Sequence, residues 1–210
     1  MLVDDHPMVL AGVQQMLDTA GDIRVVAQAQ DAREAMGALA SDNPDVAVID
    51  ISLPDENGLS LLQRIKRTSP HVAVLMLSGY GEEMYALRAL RAGADGYLTK
   101  GAPLDEIVGA VRRVADGGKH FSGALNELLV RQLQGGKEKG HAALTPREFD
   151  IMMRLAAGES TGSIAAQLHR SPKTVSTHRS RLFEKLNVQS NAQLARYVME
   201  QGLMGPKTKQ

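Results

Sequence analysis

Five short apolar runs, each followed by an amphipathic stretch, govern what this chain can fold into. "MLV" (1–3), "IRVVAQA" (23–29), "DVAVIDI" (45–51), "HVAVLML" (71–77) and "GYLT" (96–99) are rich in Val, Ile and Leu, and helical patterns separate them. Val46 to Ile51 and Val72 to Leu77 are continuous rather than alternating, as strands covered on both faces require. Strand followed by helix, five times over, specifies an α/β domain: a doubly wound, five-stranded parallel sheet over residues 1–117.

A sheet of this kind delivers the carboxyl ends of its strands to one crevice, where ligands bind. The groups delivered are Asp4 and Asp5 after the first run, Asp50 in the third, Ser78 after the fourth and Lys100 after the fifth. Taken alone, the Asp4-Asp5 pair reads equally as a solvated turn before a helix. Taken with Asp50, the acids repel one another unless a hard cation lies among them, and oxygen-only ligation favours Mg²⁺. An aspartate beside such a cation and a lysine is placed to receive a phosphoryl group. Asp50 is the natural acceptor.

These residues bring out a resemblance over residues 1–117 to the receiver domain of response regulators. "VDDHP" resembles its acidic pair, "VIDISLPDENG" its phospho-acceptor loop with Pro54 and Gly58 at the usual offsets, "LMLSGY" its switch hydroxyl and "GADGYLTKG" its lysine segment. The resemblance implies that Asp5 and Asp50 ligate Mg²⁺ directly, Asp4 through water and Ser52 through its backbone carbonyl. It implies also that Ser78 and Lys100 hold the phosphoryl oxygens and that Tyr97 rotates inward as Ser78 moves. Two departures stand out. Only Met1 to Val3 precede the acids, where receivers usually have several more residues, and Gly101 follows Lys100 in place of proline, so no cis peptide is expected there.

The chain has no net charge, but its halves differ. Residues 1–116 hold 17 acids and 10 bases, a net of −7, and residues 117–210 hold 7 acids and 14 bases, a net of +7. A basic second half suggests a polyanionic partner. The chain has no cysteine, which excludes disulfides and thiolate metal sites. Charges or glycines interrupt every apolar stretch before the roughly 20 residues that a bilayer demands, so a cytoplasmic protein with no membrane partner is expected.

Residues 118–143 read as a linker, with a short helix near 122–133 and a flexible glycine- and lysine-rich tether at 135–143. Beyond it, residues 144–210 hold four helical segments, a second and small all-α domain. Thr145-Pro146 and Ser171-Pro172 look like N-caps followed by proline, and Thr145 and Glu148 have capping-box spacing. The second and third segments have helix-turn-helix spacing. On the third, Val175, Leu182 and Leu186 share one side, facing the bundle. Lys173, Thr174, Ser176, Thr177 and Ser180 offer donors to base edges, while Arg170, Arg179, Arg181 and Lys185 can grip phosphates. His178 lies near the apolar stripe, which favours a structural or phosphate-facing role.

"LTPRE" and "IAAQLHRSPKTVSTHRSRLFEKL" resemble the LuxR-type DNA-binding domain, and the combination of domains resembles the NarL/FixJ family of response regulators. Ser176 stands where many members carry lysine. The resemblance implies a transcription regulator, not an enzyme, phosphorylated on Asp50 by a sensor histidine kinase and binding double-stranded DNA as a homodimer. The final helix would pair the two copies, with Leu194, Tyr197 and Val198 as contacts unless they serve the bundle core. The alternative is a regulator whose DNA binding ignores phosphorylation and whose receiver only dimerises. An aspartate-based phosphohydrolase is disfavoured, because Ser52 stands two residues after Asp50, where such an enzyme needs a general acid.

Overall fold

A computed structural model describes residues 1–79, 82–122, 125, 140–168, 170–201 and 203. The chain divides into two compact units, Met1–Val130 and Arg131–Gln210.

The first unit holds five strands, β1 (Leu2–Val3), β2 (Gln28–Ala29), β3 (Val46–Ile49), β4 (Ala73–Ser78) and β5 (Gly96–Thr99), and five helices, α1 (Pro7–Thr19), α2 (Ala32–Asp42), α3 (Gly58–Thr68), α4 (Glu82–Arg91) and α5 (Leu104–Ala115). All strand pairs are parallel, in the order β2-β1-β3-β4-β5. This is the doubly wound sheet expected from the alternation of apolar runs.

Period-two alternation divides the sheet between two cores. Leu2, Val48, Ala73, Leu75, Leu77 and Leu98 pack with Leu10, Val13 and Leu17 of α1 and Ile107, Ala110, Val111 and Val114 of α5. One residue out of phase, Val3, Ala47, Ile49, Val74, Met76 and Tyr97 are equally buried. The buried stripes of α2 and α3, Ala35, Leu39, Leu62 and Ile65, and Ala86 and Ala89 of α4 are left to close that face.

Residues 23–27 depart from expectation: the apolar run Ile23 to Ala29 forms a strand only at Gln28 and Ala29. The reason is the ladder. β1 offers only Leu2 and Val3, which pair with those two residues, and composition cannot make a strand without a partner to bond. At the other edge, Gly117 takes a left-handed turn (φ 79°) and the chain returns to β5. The Tyr97 N–H donates to the His120 carbonyl and the His120 N–H to Asp95, each at 2.9 Å.

The second unit holds α6 (Pro146–Ala156), α7 (Thr161–Gln167), α8 (Pro172–Leu186) and α9 (Asn191–Glu200). Thr145, Ser160, Ser171 and Ser190 each cap a helix through a side-chain oxygen. Thr145 and Glu148 form the expected capping box, with Thr145 N–H to Glu148 Oε2 at 2.9 Å and Glu148 N–H to Thr145 Oγ1 at 3.3 Å. Phe149, Met152, Ile164, Val175, Leu182, Leu194 and Val198 make the core. Leu194 and Val198 therefore serve the bundle.

Of the expected helix near 122–133, residues 123–124 and 126–133 lie outside the described residues, as do residues 135–139 of the tether. Gly140–Ala143, the end of that tether, is instead a 3₁₀ turn. The Tyr197 hydroxyl of α9 fastens it, accepting from the His141 N–H at 2.9 Å and lying 3.0 Å from His141 Nδ1. A β-carbon at Gly140 (φ 64°) would collide with that hydroxyl. Among the described residues, no helix is long and apolar enough to cross a membrane.

Candidate functional site

Asp50 follows β3, its N–H held by the Val3 carbonyl at 2.8 Å. The loop after it is drawn tight. Ser52 bridges to Asn57, the Gly58 N–H donates to the Ile51 carbonyl at 2.8 Å, and Asn57 Oδ1 caps α3 through the Leu59 N–H. Gly58 lies against the Asp50 carbonyl, where a β-carbon would overlap it and stand 2.9 Å from Ile51 Cα. The same loop clasps α2, because Asp55 accepts from the Ala32 and Arg33 N–H groups at that helix's positive end.

Lys100 is aimed from the end of β5, its N–H donating to the Ser78 carbonyl at 2.7 Å. Its ammonium bridges two acids, 2.6 Å from Asp4 Oδ2 and 2.9 Å from Asp50 Oδ2. Burial pushes the Asp50 carboxyl above the usual carboxylate range; Lys100 and the Ser52 N–H oppose this without cancelling it. Burial also disfavours the Lys100 charge, but its bonds to Asp4 and Asp50 outweigh that and hold its pKa above the ordinary value. Asp50 Oδ2 is thus engaged, while Asp50 Oδ1 is buried without a hydrogen-bond partner. A 3% exposed carboxylate with a bare oxygen is costly unless a ligand serves it.

The crevice therefore gathers Asp4, Asp5, Asp50 and Lys100. Ligand atoms of Asp4, Asp5, His6 and Asp50 all lie within 4.8 Å of one another. Clustered carboxylate oxygens, among them the bare Asp50 Oδ1, fit a divalent cation. His6 joins this cluster in the structure, although a histidine before proline carries no signal of its own in the sequence. Ser78 is fully buried at the end of β4, and Tyr97 is 2% exposed, its ring already inward.

In the second unit, α8 presents Lys173, Thr174, Ser176, Thr177, Ser180 and Arg181 to solvent, with Arg170 exposed just before it. Thr177 Oγ1 bonds back to the Lys173 carbonyl at 3.0 Å, and Thr174 Oγ1 lies 2.9 Å from the capping Ser171 hydroxyl. Arg179 stacks 4.3 Å over the Phe183 ring and donates to Asn191. His178 is half-buried, and burial lowers its pKa, with Arg147 and Arg181 adding to an effect that Glu148 opposes. Lys185, expected to grip phosphate, is exposed on α8 and also pairs with Glu148: Nζ is 2.6 Å from Glu148 Oε2 and 3.3 Å from the Ala143 carbonyl. Glu148 attracts it as a nearly buried carboxylate (side chain 4% exposed).

Residues 1–112 match the response regulator receiver domain, and residues 142–198 match the luxR family of bacterial regulatory proteins. The response regulator UvrY of Escherichia coli strain K12 is 33% identical over 210 residues, covering 99% of this chain and 96% of UvrY. Among solved structures, RcsB from Salmonella enterica serovar Typhimurium, bound to the promoter rprA in the presence of the phosphomimetic BeF₃⁻, is 25% identical. It covers 94% of this chain and 96% of that one, with a TM-score of 0.71. A structure of two RcsB dimers bound to two parallel DNAs is 26% identical, with the same coverage and a TM-score of 0.56.

Proposed function

This chain belongs to the NarL/FixJ family of response regulators, and on that premise we propose that phosphorylation of Asp50 by a histidine kinase controls its binding to DNA as a homodimer. The family's members are transcription regulators rather than enzymes, and the chain is a two-component regulator with a helix-turn-helix domain. The observation that carries the finer reading is the state of the Asp50 carboxylate: one oxygen faces Lys100, the other is buried and bare.

In this reading an Asp50 oxygen attacks the phosphorus of a phosphohistidine, the P–N bond breaks, and the kinase imidazole leaves with the bond's electron pair. Lys100, already bridging Asp4 and Asp50, turns its charge to an equatorial phosphoryl oxygen. The Ser78 hydroxyl takes another, and Tyr97 on the neighbouring strand senses the shift. Mg²⁺, held by Asp4, Asp5, Asp50 and the Ser52 carbonyl, would neutralise charge on the transferring group. The exposed face of α8 then enters a major groove, with Lys173, Thr174, Ser176, Thr177 and Ser180 towards base edges. Arg170, Arg179 and Arg181 lie towards phosphates, and His178 lies at the edge of that face. The promoter-bound and dimeric RcsB structures support both DNA binding and pairing.

The test is to retain genomic DNA fragments on the full chain, with and without beryllium fluoride and Mg²⁺, and to sequence them. Fragments enriched only with the mimic, and lost in Asp50→Ala, are expected. Identical fragments in both samples would instead mean that phosphorylation does not control binding, and no enrichment would sink the DNA reading.

A further inference from the structure

We propose that His6 is a nitrogen ligand at the cation site and that it shifts the site's preference from Mg²⁺ alone towards Mn²⁺ and later first-row ions. The inference rests on the reading of Asp4, Asp5 and Asp50 as cation ligands and adds a fourth, chemically different one. His6 Nδ1 stands 2.6 Å from Asp5 Oδ1 and 3.2 Å from Asp4 Oδ1. Ligands about 2.1 Å from an octahedral ion stand roughly 3 Å from their cis neighbours and about 4.2 Å from a trans one. Candidate atoms of all four residues lie within 4.8 Å of one another, a little wider than that trans span, so small side-chain shifts bring them round one ion. Independently of that cluster geometry, Asp50 Oδ1 is buried and has no hydrogen-bond partner.

The polar contacts of the imidazole are with these same acids, Asp4 and Asp5, and it caps no helix and fills no core. His6 is the N-cap of α1 but makes no side-chain capping bond, and Ser, Thr, Asp or Asn would stabilise that helix start better. Its side chain is 60% exposed, so it does not fill a core. The backbone nevertheless fixes it beside the acids, because the His6 N–H donates to Asp4 Oδ1 at 2.9 Å and Pro7 locks the first helical turn. A ring held there is of little use to Mg²⁺, which takes oxygen ligands and keeps its waters. Imidazole nitrogen strengthens binding of borderline ions, least for Mn²⁺ and more for Co²⁺ and Ni²⁺.

The probe is Mn²⁺ alone, added to the full chain and read by pulsed electron paramagnetic resonance for coupling to a ring nitrogen, with Mg²⁺ as competitor. The wild type should show the nitrogen coupling. His6→Gln, which offers an amide oxygen in similar space, should bind Mn²⁺ without it and lose about tenfold in the Mn²⁺-over-Mg²⁺ preference. His6 lies at the surface, and circular dichroism will check that the variant is folded. If Asp5→Asn abolishes Mn²⁺ binding but the wild type shows no nitrogen coupling, or His6→Gln keeps both coupling and preference, then His6 is not a ligand and the acidic site stands. If Asp5→Asn binds Mn²⁺ as the wild type does, the acidic site itself falls, and His6 with it.

Discussion

Lys185 Nζ lies 2.6 Å from Glu148 Oε2, joining α8 to the start of α6 inside the second unit. The lysine holds down a carboxylate that also closes a capping box. Lys185→Ala leaves that nearly buried acid without its cation, at a cost of about 1–3 kcal/mol. Chemical denaturation of the second unit should show the loss. Its DNA affinity at a temperature where it stays folded should keep the wild-type salt dependence. A salt slope shallower by about one unit would mean instead that Lys185 contacts phosphate.

Lys173 is the contrasting case, exposed at the start of α8 with its side chain turned to solvent. Lys173→Ala should leave the midpoint of unfolding unchanged and weaken binding to a target promoter by about 1–3 kcal/mol if it pairs with guanine. Titrations against the target and against unrelated DNA separate base reading from charge. An equal loss on both would assign Lys173 to phosphate alone.

How much of this was legible in the sequence varies with the range of the interaction. Asp50, Ser78 and Lys100 could be placed together because a parallel sheet brings strand ends to one edge, whatever the details of packing. The caps at Thr145 and Ser171 could be read because each is a contact within three residues. The pairing of Lys185 with Glu148 could not be read because the two are 37 residues apart, and local pattern holds no trace of such a pair. Residues 23–27 were misread because β-propensity describes a residue's fit to a sheet, while the sheet itself needs a neighbour. Tyr197, open between dimer contact and core, has a further tie that local pattern does not show: its hydroxyl fastens the turn at His141.

Asp95 offers a pH test. Burial pushes its carboxyl up, but hydrogen bonds from Lys119, Lys66 and the Val74 N–H outweigh burial and hold it below the ordinary carboxylate range. The two ammonium groups stand 2.6 Å from its two oxygens. A carboxyl depressed in the folded state contributes stability that is present above its unfolded pKa and is lost as pH falls through its folded value. Asp95→Asn should therefore cost about 1–2 kcal/mol at neutral pH, allowing for solvent screening of a partly exposed group. The gap between variant and wild type should close as pH falls below about 4. Denaturant midpoints at several pH values measure it, and a gap that stays constant would remove Asp95 from the acid response.

Gly58 tests whether the acceptor loop is shaped by close packing of backbone on backbone. A β-carbon there would overlap the Asp50 carbonyl and approach Ile51 Cα at 2.9 Å, and neither contact is the movable end of a side chain. Relief must come from shifting α3 away from β3, which strains the Gly58 N–H bond to Ile51 and the Asn57 cap. Gly58→Ala in a helix start would otherwise be mildly stabilising, by up to about 1 kcal/mol. The overlap should reverse that sign and cost about 1–3 kcal/mol. Because the displaced atoms belong to Asp50 itself, uptake of phosphoryl from a small-molecule donor should fall even where the variant is folded. Thermal unfolding and labelling measured on the same sample decide the matter: a variant as stable and as readily labelled as the wild type would show that the loop has room to spare.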